Sequence, residues 1–137
     1  MSWLIDTNVL SEIRKGDRAH PGIRSWFASA DETDLFTSVL VLGEIRRGIE
    51  SLRRRDPTAA LALEHWLIRL QTSFSDRVLA VTDGIADRWG FLNVPDPVPT
   101  IDGLLAATAL EHDLVLVTRN TRDVARTGAR LLDPTAP

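Results

Sequence analysis

Apolar residues in this chain come in brief runs, separated by longer stretches where they recur with helical spacing. The first run, Trp3–Ile5, reads as a buried strand that ends abruptly on a carboxylate, Asp6. Over 7–14, Val9, Leu10 and Ile13 share one helical face, and Gly16 closes the stretch. Residues 21–30 predict a second helix, with Ile23, Trp26 and Phe27 on one side and Pro21 in its first turn. A short strand over 35–37 precedes a longer helix, Val39–Arg53, whose inner face is Leu42, Ile45, Ile49 and Leu52. Asp56 and Pro57 are expected to break the chain before a helix over 59–72 carrying Leu63, Trp66, Leu67 and Leu70. A strand over 78–81 leads to Thr82, which is expected to cap a helix reaching about Phe91. Three prolines make 93–100 a loop, and Thr100 is expected to cap a helix over 101–112. The most apolar strand, 114–117, is followed by a short helix over 121–127 and a last strand over 129–132.

Strands alternating with helices predict an α/β sandwich around a mostly parallel sheet. In such folds chemistry lies beyond the carboxyl ends of the strands, which is where Asp6 falls. A length of 137 residues suits a single domain, 1–137, and 44% hydrophobic residues suffice for one core. The net charge of −3 supplies no overall basic field for nucleic acid or membrane. The chain has no cysteine, which excludes disulfides, zinc–thiolate sites and a cysteine nucleophile. No apolar stretch approaches the roughly 20 residues of a spanning helix, so the expectation is a cytoplasmic protein with no membrane attachment.

Four acids fall at comparable places in this predicted topology. Asp6 ends the first strand, Glu44 lies in the second turn of the helix after the second, Asp102 in the first turn of another helix, and Asp123 just after the strongest strand. Each has a plainer reading alone: Asp6 as a turn or cap residue, Glu44 as a solvated helix acid, Asp102 and Asp123 as first-turn acids complementing a helix dipole. Together they point to one sheet edge. Carboxylates gathered there repel one another unless a cation joins them, and an all-oxygen donor set suits Mg²⁺ or Mn²⁺. Such ions commonly serve phosphoryl chemistry. Asn120 is a strong N-cap residue, and as a cap it would set the turn that aims Asp123. The three histidines, His20, His65 and His112, show no ligand spacing, and Trp26, Trp66 and Trp89 read as core or interface residues.

The stretches "LIDTNVLSEIRKG", "TSVLVLGEIRRGI", "DGLLAATALEHDLVLVTRNTRDV" and the closing "LLDP" together resemble a PIN-domain protein of the VapC toxin type. The resemblance runs from Leu4 to Pro134. It implies a three-layer α/β/α fold and a metal-dependent endoribonuclease, held inactive by a cognate antitoxin, that hydrolyses RNA by in-line attack of water activated by Mg²⁺ or Mn²⁺. Asp6, Glu44 and Asp102 match the family's acidic triad. Its fourth acid stands either directly after the "TR" pair, where this chain has Asn120, or three residues later, at Asp123. Thr7 and Thr118 match positions where the family often keeps a hydroxyl near the metal. The resemblance further suggests a homodimer, and an antitoxin tail whose arginine pairs with Glu44 or Asp102. The arginine-rich stretch 46–55 reads as a contact for RNA phosphates, for an acidic antitoxin segment, or as a solvated helix end. Arg47 lies three residues from Glu44 and so on the same helix side.

Two other functions compete. One is a catalytically silent, metal-binding interaction module of the same fold, against which stand four intact acids. The other is a phosphotransferase with Asp6 as nucleophile; the phosphatases of that kind need an acid at position 8, which here is Asn.

Overall fold

Five short parallel strands form the central sheet in the order β3-β2-β1-β4-β5. They are β1 (Trp3–Ile5), β2 (Leu35–Ser38), β3 (Val78–Leu79), β4 (Val115–Val117) and β5 (Leu131–Leu132). The computed structural model describes all residues, Met1–Pro137. The helices are α1 (Thr7–Ile13), α2 (Pro21–Ser29), α3 (Val39–Arg53), α4 (Pro57–Phe74), α5 (Asp83–Leu92), α6 (Thr100–Glu111) and α7 (Thr121–Val124). Parallel neighbours need crossover connections, and these are right-handed. The chain steps from β1 through β2 to β3 in one direction, then returns past β1 to β4 and β5. That reversal puts α1–α4 on one face and α5–α7 on the other. The packing agrees: α1 meets α2 and α3, α3 meets α4, α5 meets α6, and α6 meets α7. The three-layer α/β/α architecture is therefore realised.

The central strands are buried on both faces, as a parallel sheet requires. Leu4, Ile5, Leu116 and Val117 are fully enclosed, with Val41, Ile45 and Ile49 of α3 and Leu105, Ala106 and Ala109 of α6 in the same core. Trp26 packs its edge against Trp3, ring centres 5.8 Å apart, which makes it a core tryptophan.

Several boundaries differ from the sequence expectation, each for a local reason. Asp56 and Pro57 start α4 rather than merely breaking the chain: the Asp56 carboxylate accepts from the Ala59 amide at 3.1 Å, and proline fits the first helical turn. Thr100 is the first residue of α6, not its cap; Pro99 holds the cap position without a side-chain bond. Thr82 does cap α5, accepting from the Ile85 amide at 3.2 Å. Asn120 occupies the position before α7 yet makes no capping bond through its side chain. The predicted helix over 121–127 divides into α7 and a 3-10 turn, ended by Gly128 at φ 83°. Strands β3 and β5 are only two residues each, half the predicted length, because they are the sheet's edges and pair on one side alone.

The strand order reverses between β1 and β4, and such a switch point opens a crevice at the strands' carboxyl ends. Asp6 follows β1 and Thr118 follows β4, so both stand at its mouth.

Candidate active site

Asp6 is 4% exposed, and every polar atom around it donates. Its Oδ1 accepts from the Thr7 amide at 2.6 Å; its Oδ2 accepts from the Thr118 hydroxyl at 2.8 Å and from the Asn8 side-chain amide at 3.3 Å. Its own backbone amide donates to the Val117 carbonyl at 3.0 Å, continuing the β1–β4 ladder. Burial raises the Asp6 pKa; the Thr118 and Thr7 hydrogen bonds oppose that, and the Glu44 charge adds to it. A side chain so held is fixed in position.

Glu44 reaches the same place from α3. The Thr7 hydroxyl donates to its Oε1 at 2.6 Å, joining α1 to α3 beside Asp6. Asp102, in the first turn of α6, is pushed up to about 6. Desolvation is the largest cause, followed by the charges of Asp6, Asp123 and Glu44, while the Asn120 side chain favours the charged form. Asp102 thus feels the other three predicted acids across the crevice.

Asn120 is corrected from a capping residue to a polar neighbour of Asp102. Its backbone amide donates to Thr118 Oγ1 at 3.0 Å, turning the chain toward the acids. Asp123 is exposed in the first turn of α7 and stands on the same side. Thr7 and Thr118, expected from the motif as hydroxyls near a metal, donate to the carboxylates of Glu44 and Asp6. Arg47 is exposed and bonds to none of the acids. Arg46 and Arg53 of the basic stretch tie α3 to α4: both reach Glu64, at 2.6 and 2.8 Å, and Glu50. Paired with them, Glu50 is lowered to about 2. His20 caps α2 through Nδ1, which accepts from the Gly22 amide at 3.0 Å, and His112 ends α6.

Sequence reasoning passed over Asn8. The only signal for it was its place inside "DTN", because two of its three partners, Thr118 and Arg119, lie 110 residues and more away.

The donor set fits a hard divalent cation. The carboxylates of Asp6, Glu44, Asp102 and Asp123 offer oxygen alone, and the part of the Asp102 shift that comes from their mutual repulsion is what a cation would relieve. No three acids are gathered tightly enough to hold an ion by themselves. Magnesium suits such a site, because it is usually bound by one or two carboxylates and keeps several waters.

A match to the family model described as "PIN domain" covers residues 3–129. The chain belongs to the PIN-domain family. Among curated relatives, Ribonuclease VapC14 of Mycobacterium tuberculosis is 35% identical over 81 residues, which is 59% of this chain and 71% of that protein. The solved structure of FitAcB from Neisseria gonorrhoeae superposes with a TM-score of 0.87 at 24% identity, covering 96% of both chains. A toxin-antitoxin complex from Klebsiella pneumoniae contains a chain of the same fold, with a TM-score of 0.71, 24% identity, and coverage of 97% of this chain and 98% of that one. No helix of this PIN domain is long and apolar enough to cross a membrane.

The raised Asp102 gives a stability prediction with a definite sign. Between the ordinary carboxylate value of 3.8 and about 6, the folded state holds this proton more than the unfolded state does. This group's contribution therefore falls as pH rises through that window and is fully unfavourable above it. Asp102→Asn is expected to raise the melting temperature of chelator-treated protein at pH 8, with the gain vanishing near pH 4. Thermal melts at the two pH values check it; an equal gain at both would contradict the cause.

Proposed function

We propose that this PIN domain is the toxin of a toxin–antitoxin pair, a Mg²⁺- or Mn²⁺-dependent endoribonuclease that hydrolyses RNA phosphodiester bonds. The observation that carries it is the convergence of Asp6, Glu44, Asp102 and Asp123 on one crevice, where burial first and the three other charges after it push Asp102 to about 6. Ribonuclease activity also accords with the name of the VapC14 relative.

In this reading Asp6 and Asp102 would hold the cation, Asp123 would complete its outer shell, and the Asn120 side chain would hold Asp102 in place. When bound, the cation supplies Lewis acidity that makes water nucleophilic and screens charge on the attacked phosphate. Thr118 and the Thr7 amide aim Asp6, and their hydrogen bonds favour its ionised form against the burial that opposes it. Thr7 occupies Glu44 Oε1, which leaves Oε2 to orient the attacking water and accept its proton. The phosphate is approached in line, opposite the departing ribose oxygen.

The antitoxin belongs to the same proposal. A cleft of about 340 Å³ begins at Thr7 and Glu44 and continues over Leu52, Leu63 and Trp66, with Arg14 and Arg55 at its rim. An antitoxin segment lying there would reach the acids, and an arginine on it would pair with Glu44 or Asp102. A homodimer is proposed as well, supported by Phe91 and Val94, each 75% exposed at the α5–α6 connection.

The test is purified protein incubated with RNA in chelator, then with Mn²⁺. Cleavage that appears with Mn²⁺ and stops on adding the antitoxin is the expected result. A folded protein that binds Mn²⁺ and leaves RNA intact would support the silent interaction module instead.

A further inference from the structure

Asn8 takes part in three bonds, two of which join distant pieces of the chain. Its Nδ2 lies 3.3 Å from Asp6 Oδ2 and 3.4 Å from Thr118 Oγ1, and its Oδ1 accepts from the Arg119 amide at 3.1 Å. The orientation of the amide follows from chemistry. The Arg119 N–H needs an acceptor and the Asp6 carboxylate needs donors, so the oxygen faces Arg119 and the nitrogen faces Asp6. Aspartate has no side-chain N–H for Asp6, and alanine supplies neither half.

The surrounding bonds are filled in a definite pattern. The Thr118 hydroxyl has one proton and two lone pairs; it donates to Asp6 and accepts from Asn8 and from the Asn120 amide. Both acceptor positions of Asp6 Oδ2 are then taken, by Thr118 and Asn8, while Oδ1 holds only the Thr7 amide. One acceptor position on Oδ1 is left over.

We propose that Asn8 is a positioning residue: it clips α1 to the turn after β4, leaves Asp6 Oδ1 as the oxygen free for a cation, and sets how far Asn120 and Asp123 stand from it. The cation part rests on the proposed function; the clip does not. Asn8 touches neither substrate nor reacting atoms and acts through Asp6 and Thr118. Residue groups of this kind, one bond removed from a metal, typically alter affinity or activity 10–100-fold when lost.

The experiment compares wild-type protein with Asn8→Ala and Asn8→Asp. Amide hydrogen exchange is read first, in chelator. Asn8→Ala is expected to speed exchange at Arg119 by about tenfold or more while Leu116, inside the sheet, is unchanged. Asn8→Asp keeps the acceptor for Arg119 and is expected to restore protection there. Calorimetric titration with Mn²⁺ is read second, and Asn8→Ala is expected to bind about 10–100-fold more weakly. On RNA its kcat should fall by a similar factor with KM unchanged. A core variant of matched melting temperature, Ile49→Val, should keep wild-type Mn²⁺ affinity. Asn8→Ser, too short to reach either partner, replaces Asn8→Ala if that variant does not fold. Unchanged exchange at Arg119 overturns the clip whatever the metal result. Wild-type Mn²⁺ affinity in an opened Asn8→Ala overturns the role toward the cation. A wild-type protein that binds no Mn²⁺ overturns the proposed function, and the exchange result still judges the clip.

Discussion

Asp6→Asn is expected to reduce RNA cleavage by more than about 100-fold, beyond the loss typical of residues one bond removed from a metal, and to leave the protein folded. The carboxylate is 4% exposed, and its three partners all donate. An asparagine oxygen can still accept from the Thr7 amide. Its nitrogen then faces Thr118, whose hydroxyl can turn to accept by releasing its long 3.4 Å contact with Asn8, and it faces the Asn8 amide as one donor against another. The fold gives up two weak contacts of Asn8, at 3.3 and 3.4 Å, and sheds a buried charge. The chelator-treated variant should therefore melt no lower than wild type. Cleavage of a labelled RNA, timed with matched preparations of both proteins, is the measurement. A folded Asp6→Asn protein cutting at the wild-type rate would remove Asp6 from the mechanism.

Leu116→Ala is expected to have the largest effect on stability. Leu116 is 1% exposed in β4, beside Leu4 of β1 and Leu131 of β5. Truncating such a leucine costs about 2–5 kcal/mol through lost burial and the cavity left behind. Domains have only about 5–15 kcal/mol in all. The melting temperature should fall by on the order of 10 °C, as calorimetry would record. Because β4 supplies Thr118, Mn²⁺ binding should weaken together with the fold. In Asp6→Asn the two separate, with activity lost and stability kept.

The element order and three of the acids were legible because each is a local pattern. Trp3–Ile5 followed by Asp6, the helical spacing of Ile45 and Ile49 around Glu44, and Asp102 in an apolar helix can be read within a few residues. Asn120 was legible in place and misread in role. Asparagine before a helix is ordinarily a cap, and the competing claim on its side chain comes from Asp102, eighteen positions back and on another element. Asn8 was illegible for the same reason at greater range. Arg46 and Arg53 looked like part of a free basic surface because the second acid that binds them, Glu64, sits on the next helix. Local periodicity predicts what a residue's own element does; a side chain bonded across the sheet is decided by topology.

The order of the strands has a further consequence for the chain's own synthesis. Asp6 emerges near the start, yet the strand that flanks it and the hydroxyl that holds it come from β4 and Thr118, and Asp123 follows later still. A nascent polypeptide ending anywhere before residue 117 lacks a neighbour on one side of β1, so Asp6 has no ladder partner and no Thr118. The acids cannot assemble until 123 of the 137 residues have been joined. A growing chain short of Asp123 thus lacks the full set of four acids, and so does any truncated product released early.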